Sequence, residues 1–144
     1  MQRTYGNRAG ILKAWGRLNE SLELVKKKEA LCLELGSKGE LQLAYGHQAV
    51  ILMDWERLEE ALALLKKQEV ICLELGNRAD LAHCYWNWGL LARAQRNSET
   101  EREKLGVALG LFTELNMPRE RDAVAAELSK AQGAGTQVRR AVLS

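Results

Sequence analysis

The apolar positions of residues 44–84 fall at helical spacing in two stripes: Ala44, Tyr45, Ala49 and Leu52, then Leu58, Ala61, Leu62, Leu65 and Cys72. The pattern breaks around Asp54 to Arg57, so the stretch predicts two helices joined by a short turn. Laid without gaps over Tyr5 to Ala44, Tyr45 to Cys84 matches at about half of its forty positions, and a fainter third copy runs from Tyr85 to Val124. Tyr5, Tyr45 and Tyr85 share one register, as do Trp15 and Trp55, Cys32 and Cys72, and Leu35, Leu75 and Leu115. A period kept without insertions implies a constant geometric step. The expected fold is all-α, a solenoid of helical hairpins over 1–132 with repeats at 5–44, 45–84 and 85–117.

Stop and start signals agree with this division. Gly36 and Gly76, with Asn116 in the third copy, suit the left-handed residue that ends a helix. Ser37 with Glu40, and Asn77 with Asp80, resemble N-caps followed by an acidic third position. Pro118 can occupy the first turn of a helix, because its missing N–H has no partner there. The helix it opens mixes Ala123, Val124, Ala126 and Leu128 with Arg119, Glu120, Asp122, Glu127 and Lys130, and reads as a cap over 118–132. Residues 133–144 are small, polar and basic, which predicts an unstructured tail. The first copy begins abruptly, and reads as a terminal or excised piece of a longer array.

Composition narrows the function. The 144 residues carry a net charge of only +2, and Lys26, Lys27 and Lys28 share their helix with Glu20, Glu23 and Glu29. No broad cationic field exists for nucleic acid, and no apolar run is long enough to cross a membrane. Three cysteines cannot all pair within one chain, and Met1 to Thr4 lacks the start of a secretory signal, so a reducing, cytoplasmic setting is expected. Cys32 and Cys72 sit among leucines and isoleucine and read as small buried hydrophobes, while His47, His83 and Cys84 lack the paired spacing of a zinc site. Neither a phosphate loop nor a nucleophile elbow is present, so no enzyme activity, metal or cofactor is expected.

Tyr45, Ala49, Leu52, Leu58, Ala61 and Leu65 lie at the spacings of the tetratricopeptide motif, and the run GHQAVILMDWERLEEALALLKKQ is similar to its longer variant in kinesin light chains and bacterial signalling arrays. The resemblance covers residues 5 to about 124. Gly16 holds the family's turn glycine, which Glu56 and Arg96 replace later. Glu101 stands where the family has a small alanine, opposite Ser21 and Ala61. The resemblance implies a right-handed superhelix whose first helices line a concave groove for an extended peptide or partner helix. It places in that groove Arg3, Asn7, Gly10 and Lys13 from the first copy. The second copy adds Leu43, His47, Val50, Met53 and Asp54, and the third His83, Trp86, Asn87, Leu90 and Arg93.

Chemically, Asn7, His47 and Asn87 offer one polar group per repeat, suited to gripping a peptide backbone. Lys13 and Arg93 suit acidic groups, and Trp86, Met53 and Val50 supply apolar contact. Trp86 and Trp88 are two apart and cannot share a helix face, so one ring is expected to pack inward while the other is free for the groove. Trp15 and Trp55 read as fillers of the hairpin turn. The functional expectation is a non-catalytic scaffold for a protein or peptide partner. The alternative is self-association through the open N-terminal end, as a spacer segment of a larger signalling protein.

Overall fold

Five connections set the architecture, and all five close in the same way. The computed structural model describes the backbone of residues 2–143 and the side chains of residues 19–131. It contains α1 (Gln2–Leu35), α2 (Lys38–Asp54), α3 (Leu58–Leu75), α4 (Arg78–Ala94), α5 (Ser98–Glu114) and α6 (Pro118–Leu143). Between them lie residues of positive φ: Gly36 at 68°, Glu56 at 60°, Gly76 at 67°, Arg96 at 59° and Asn116 at 56°. After each, the next N–H donates to the carbonyl five residues back: Ser37 to Cys32 (2.9 Å), Arg57 to Leu52 (2.8 Å), Asn77 to Cys72 (3.0 Å), Asn97 to Ala92 (2.8 Å) and Met117 to Phe112 (2.9 Å). This is the Schellman closure, which satisfies carbonyls left over at a helix end. The positive-φ positions fall every 20 residues, at 36, 56, 76, 96 and 116. The forty-residue repeat is therefore itself a pair of helical units of one length.

Burial follows the same step. The closing carbonyls belong to residues whose side chains are sunk in the core: Cys32, Leu52, Cys72, Ala92 and Phe112. At the fourth position of α2, α3, α4 and α5, Leu41, Ala61, Leu81 and Glu101 are buried as well. Each helix thus presents one stripe to its neighbours, and consecutive helices pack in order, with α2 also meeting α4. The result is an all-α solenoid, with α2–α3 and α4–α5 as its two full hairpins. Exposed ion pairs recur at equivalent places across them, Lys38 with Glu74 (3.0 Å) and Arg78 with Glu114. Such exposed pairs add little to stability.

Two local expectations come out differently, and a third lies outside the described side chains. A hairpin turn at Gly16 is not formed; α1 runs as one helix through it. Glycine permits positive φ without imposing it, and a helix that continues keeps gaining one backbone hydrogen bond per residue. Ser37 sits at the α2 cap position, but its side chain makes no capping bond, whereas Asn77 accepts from Asp80 N–H (3.1 Å) and Asn97 from Thr100 N–H (3.3 Å). The amide reaches further than the hydroxyl. The backbone of α6 runs to Leu143, and the tail expected over 133–144 falls where side chains lie outside the described residues.

The two hairpins fill their interiors with opposite chemistry. In α2–α3, buried Gln68 donates to Gln42 (3.0 Å), which donates to Asp80 (2.6 Å) and to the Gly39 carbonyl (3.2 Å), while the Cys72 thiol donates to Gln42 (3.4 Å). At the equivalent positions α4–α5 has Ala82, Ala108 and Phe112, all fully buried and apolar. Gly46 in the first hairpin leaves room for the Gln68 amide: a Cβ there would stand 2.7 Å from its nitrogen. The second hairpin reverses the volumes, with Trp86 in place of Gly46 and Ala108 in place of Gln68.

Candidate functional site

Helices α2 and α4 carry the residues assigned to a partner-binding face, and the two differ in what they leave free. On α2, the stripe Leu41, Ala44, Tyr45, Gln48, Ala49 and Leu52 is buried. That arrangement turns Leu43, His47, Val50 and Asp54 outward, with Leu43 36% and Val50 40% exposed. Met53 is half-buried against the core formed by Leu22, Ala49, Leu52, Ala61 and Leu65. This face is a short strip of apolar groups flanking an imidazole and ending in a carboxylate.

On α4 the corresponding side chains are drawn inward. The ring of His83 stacks beside Trp86 at 6.0 Å between centroids and meets Phe112 of α5 edge-on at 5.1 Å. Trp86 also meets Phe112 edge-on at 6.0 Å. Its indole N–H is buried and has no acceptor among the described residues. Trp88 packs on the first core, with Lys104 Nζ 4.1 Å from its ring centroid. Both indoles are therefore half-buried, on opposite sides of α4. Asn87 and Leu90 are half-buried.

Arg93 is engaged within the chain. Its Nε donates to Glu101 (2.7 Å), its Nη1 to Glu127 (2.5 Å) and its Nη2 to the Glu127 carbonyl (3.1 Å), tying α4, α5 and α6 together. Burial alone would lower the Arg93 pKa, but the hydrogen bonds and charges of Glu101 and Glu127 outweigh it and hold the value above the ordinary one. The Arg93 hydrogen bond in turn holds the Glu127 carboxyl below its usual 4.5. Glu101, which replaces the small alanine of the motif, packs closely because this guanidinium receives it. Arg3, Asn7 and Lys13 lie outside the described side chains.

The structure thus brings together His83 and Trp86, through Phe112, and leaves Leu43, His47, Val50 and Asp54 as the open part of the face. Phe112, Glu101 and Glu127, which fix the α4 half, are not among the residues that the tetratricopeptide resemblance places on that face. The available signal was the pair of substitutions Cys72 to Phe112 and Ala61 to Glu101 between equivalent positions. Other chemistry is silent in the described residues: no cluster of three or more metal-ligating side chains occurs, and no helix is long and apolar enough to cross a membrane. The three cysteines are buried and unpaired. Burial pushes the Cys72 thiol up to about 11 and the Cys84 thiol, which donates to the Leu65 carbonyl, up to about 12. Neither is poised as a nucleophile.

The fold and this face define a helical-repeat protein. Among solved structures the chain is similar to BtubC (BKLC) from P. vanneervenii, with a TM-score of 0.61 at 14% sequence identity. The likeness covers 89% of this chain and 61% of that one, and at this identity it speaks for the fold alone. No family model and no curated protein matches the sequence.

Proposed function

We propose that this chain is a non-catalytic interaction scaffold of tetratricopeptide type that takes an extended peptide or a partner helix along the face of α2 and α4. The observation that carries the reading is the exposure of Leu43 and Val50 beside His47, on a helix whose other apolar side chains are nearly all committed to the core. Apolar groups with an adjacent polar donor are the usual chemistry of a peptide-binding helical surface. His47 and Asn87 would hold the partner's backbone, and Leu43, Val50 and Leu90 its apolar side chains. Three buried free cysteines suit a reducing compartment, which makes a cytoplasmic partner the natural one.

A second reading has its own observation. Leu24 and Leu31 of α1 are 65% and 53% exposed, whereas Leu64 and Ile71, their equivalents in α3, pack against Cys32, Leu41 and Tyr45. A further helix, from upstream repeats or a second copy, would fit against α1 in the same way. The experiment that separates the two is selection from a displayed peptide library, followed by light scattering over a concentration range. The scaffold reading expects selected peptides to lose binding to Leu43→Asp/Val50→Asp and to keep it with Leu24→Asp/Leu31→Asp. Peptides indifferent to the α2 pair would overturn it. A concentration-dependent mass abolished by the α1 pair would support stacking.

A further inference from the structure

A cleft of about 310 Å³ lies where α1, α2 and α3 meet, on residues of α2 other than those of the exposed face. Leu22, Leu52 and Leu64 give it an apolar lining, and Lys26, Arg57 and Lys67 stand on its walls. Arg57 is paired with Glu60 at 3.1 Å, whereas Lys26 and Lys67 make no ion pair among the described residues, the Lys67 ammonium standing over the Tyr45 ring at 5.6 Å from its centroid. Its size is at the lower end of the ~300–1,000 Å³ of small-molecule sites.

The internal repeat shows what such a space accepts. Gln48 lines the cleft, and its equivalent forty residues on is Trp88. There the indole packs against the helix preceding its hairpin and lies under the ammonium of Lys104, 4.1 Å from the ring centroid, the lysine side chain being only 17% exposed. One hairpin thus supplies its own aromatic ring beneath a cation. The other places a smaller amide at that position, drawn toward Glu29 by a 2.7 Å hydrogen bond, and leaves the volume open.

We infer that this cleft is a binding site for a small aromatic carboxylate, its ring resting on Leu52 and Leu64 in the place Trp88 fills in the next hairpin, and its carboxylate directed to Lys26 and Lys67. The planar ring answers the apolar lining and the lysines answer the negative charge. The site is independent of the scaffold face and stands whether or not that face binds a peptide.

The test uses indole-3-carboxylate as the probe, titrated into the full chain and followed by amide chemical shifts. Saturable shifts are expected at Leu22, Gln48 and Leu64, with neutral indole binding ~3- to 5-fold more weakly for lack of the surface ion pair. Gln48→Trp, which restores the chain's own ring, is expected to abolish binding and to raise the melting temperature. Lys26→Gln/Lys67→Gln, a change confined to exposed side chains, is expected to bring the carboxylate down to the affinity of indole. Shifts elsewhere in the chain, no saturation, or undiminished binding by folded Gln48→Trp would overturn the assignment, as would a lysine pair whose loss leaves the carboxylate's advantage intact.

Discussion

Gly46→Ala should change sign with its background. A methyl group at residue 46 would stand 2.7 Å from Gln68 Nε2 and 3.1 Å from both Cδ and Oε1. Gln68 is 4% exposed and donates to Gln42, which is fully buried and donates onward to Asp80, so the amide cannot swing away without breaking that chain. Overpacking of this kind costs about 1–3 kcal/mol. Against it stands a gain of about 1 kcal/mol for alanine over glycine inside a helix. The net expectation is a loss of up to about 2 kcal/mol, centred near 1 kcal/mol. Gln68→Ala removes the obstacle, and in that background Gly46→Ala should stabilise by up to about 1 kcal/mol. The coupling between the two sites is then about 2 kcal/mol, well inside the range measured for touching residues. Urea unfolding of the four proteins, followed by far-UV circular dichroism, closes the cycle. Equal effects of Gly46→Ala in both backgrounds, with coupling below about 0.5 kcal/mol, would refute the steric account.

Three further outcomes follow from the turns and the ion triad. Glu56→Gly should raise stability by up to about 1 kcal/mol, since left-handed backbone costs a side-chain-bearing residue about 1–2 kcal/mol and the added freedom of unfolded glycine returns part of the gain. A lower urea midpoint for the glycine variant would show that the turn is not strained. Arg93→Gln should cost roughly 2–4 kcal/mol, because it leaves Glu101 buried without its cation. The same triad sets an acid limit. Glu127 is depressed in the folded chain, so its contribution is complete above the ordinary carboxylate value of 4.5 and is lost as pH falls through the lower folded value. Melting temperatures measured from pH 6 to pH 3, set there on the reference carboxylate range of about 4, should fall more steeply for the native chain than for Glu127→Gln; parallel curves would count against the assignment.

Most of the fold was legible in the sequence because the turn chemistry repeats: Gly36, Gly76 and Asn116 are residue types that tolerate positive φ, and they have it. The intervening turns were legible only from the interrupted apolar pattern. Glu56 and Arg96 are poor residues for that backbone, and packing on both sides holds them there. The reverse failure occurs at Gly16, where a suitable residue stands and no turn forms. The candidate face divides along similar lines. Leu43, Val50 and His47 could be placed outside because the buried stripe of α2 is unambiguous. Arg93 could not, since its partners Glu101 and Glu127 lie on two other helices, eight and 34 residues away.

The exchanged interiors of the two hairpins bear on how the chain finds its partners while folding. Hairpins of one period and one turn geometry invite mispairing, in which a helix docks on the right kind of neighbour from the wrong repeat. Were α2 to take α5, Gly46 would face Ala108 across a void; were α4 to take α3, the indole of Trp86 would collide with the Gln68 amide and strand the Gln42 carbonyl. The glycine and glutamine of one hairpin and the tryptophan and alanine of the other thus act as keys that fit a single lock each. A chain made uniform by copying either hairpin into both places would lose that discrimination, and should refold more slowly and aggregate more readily even if its final state were as stable.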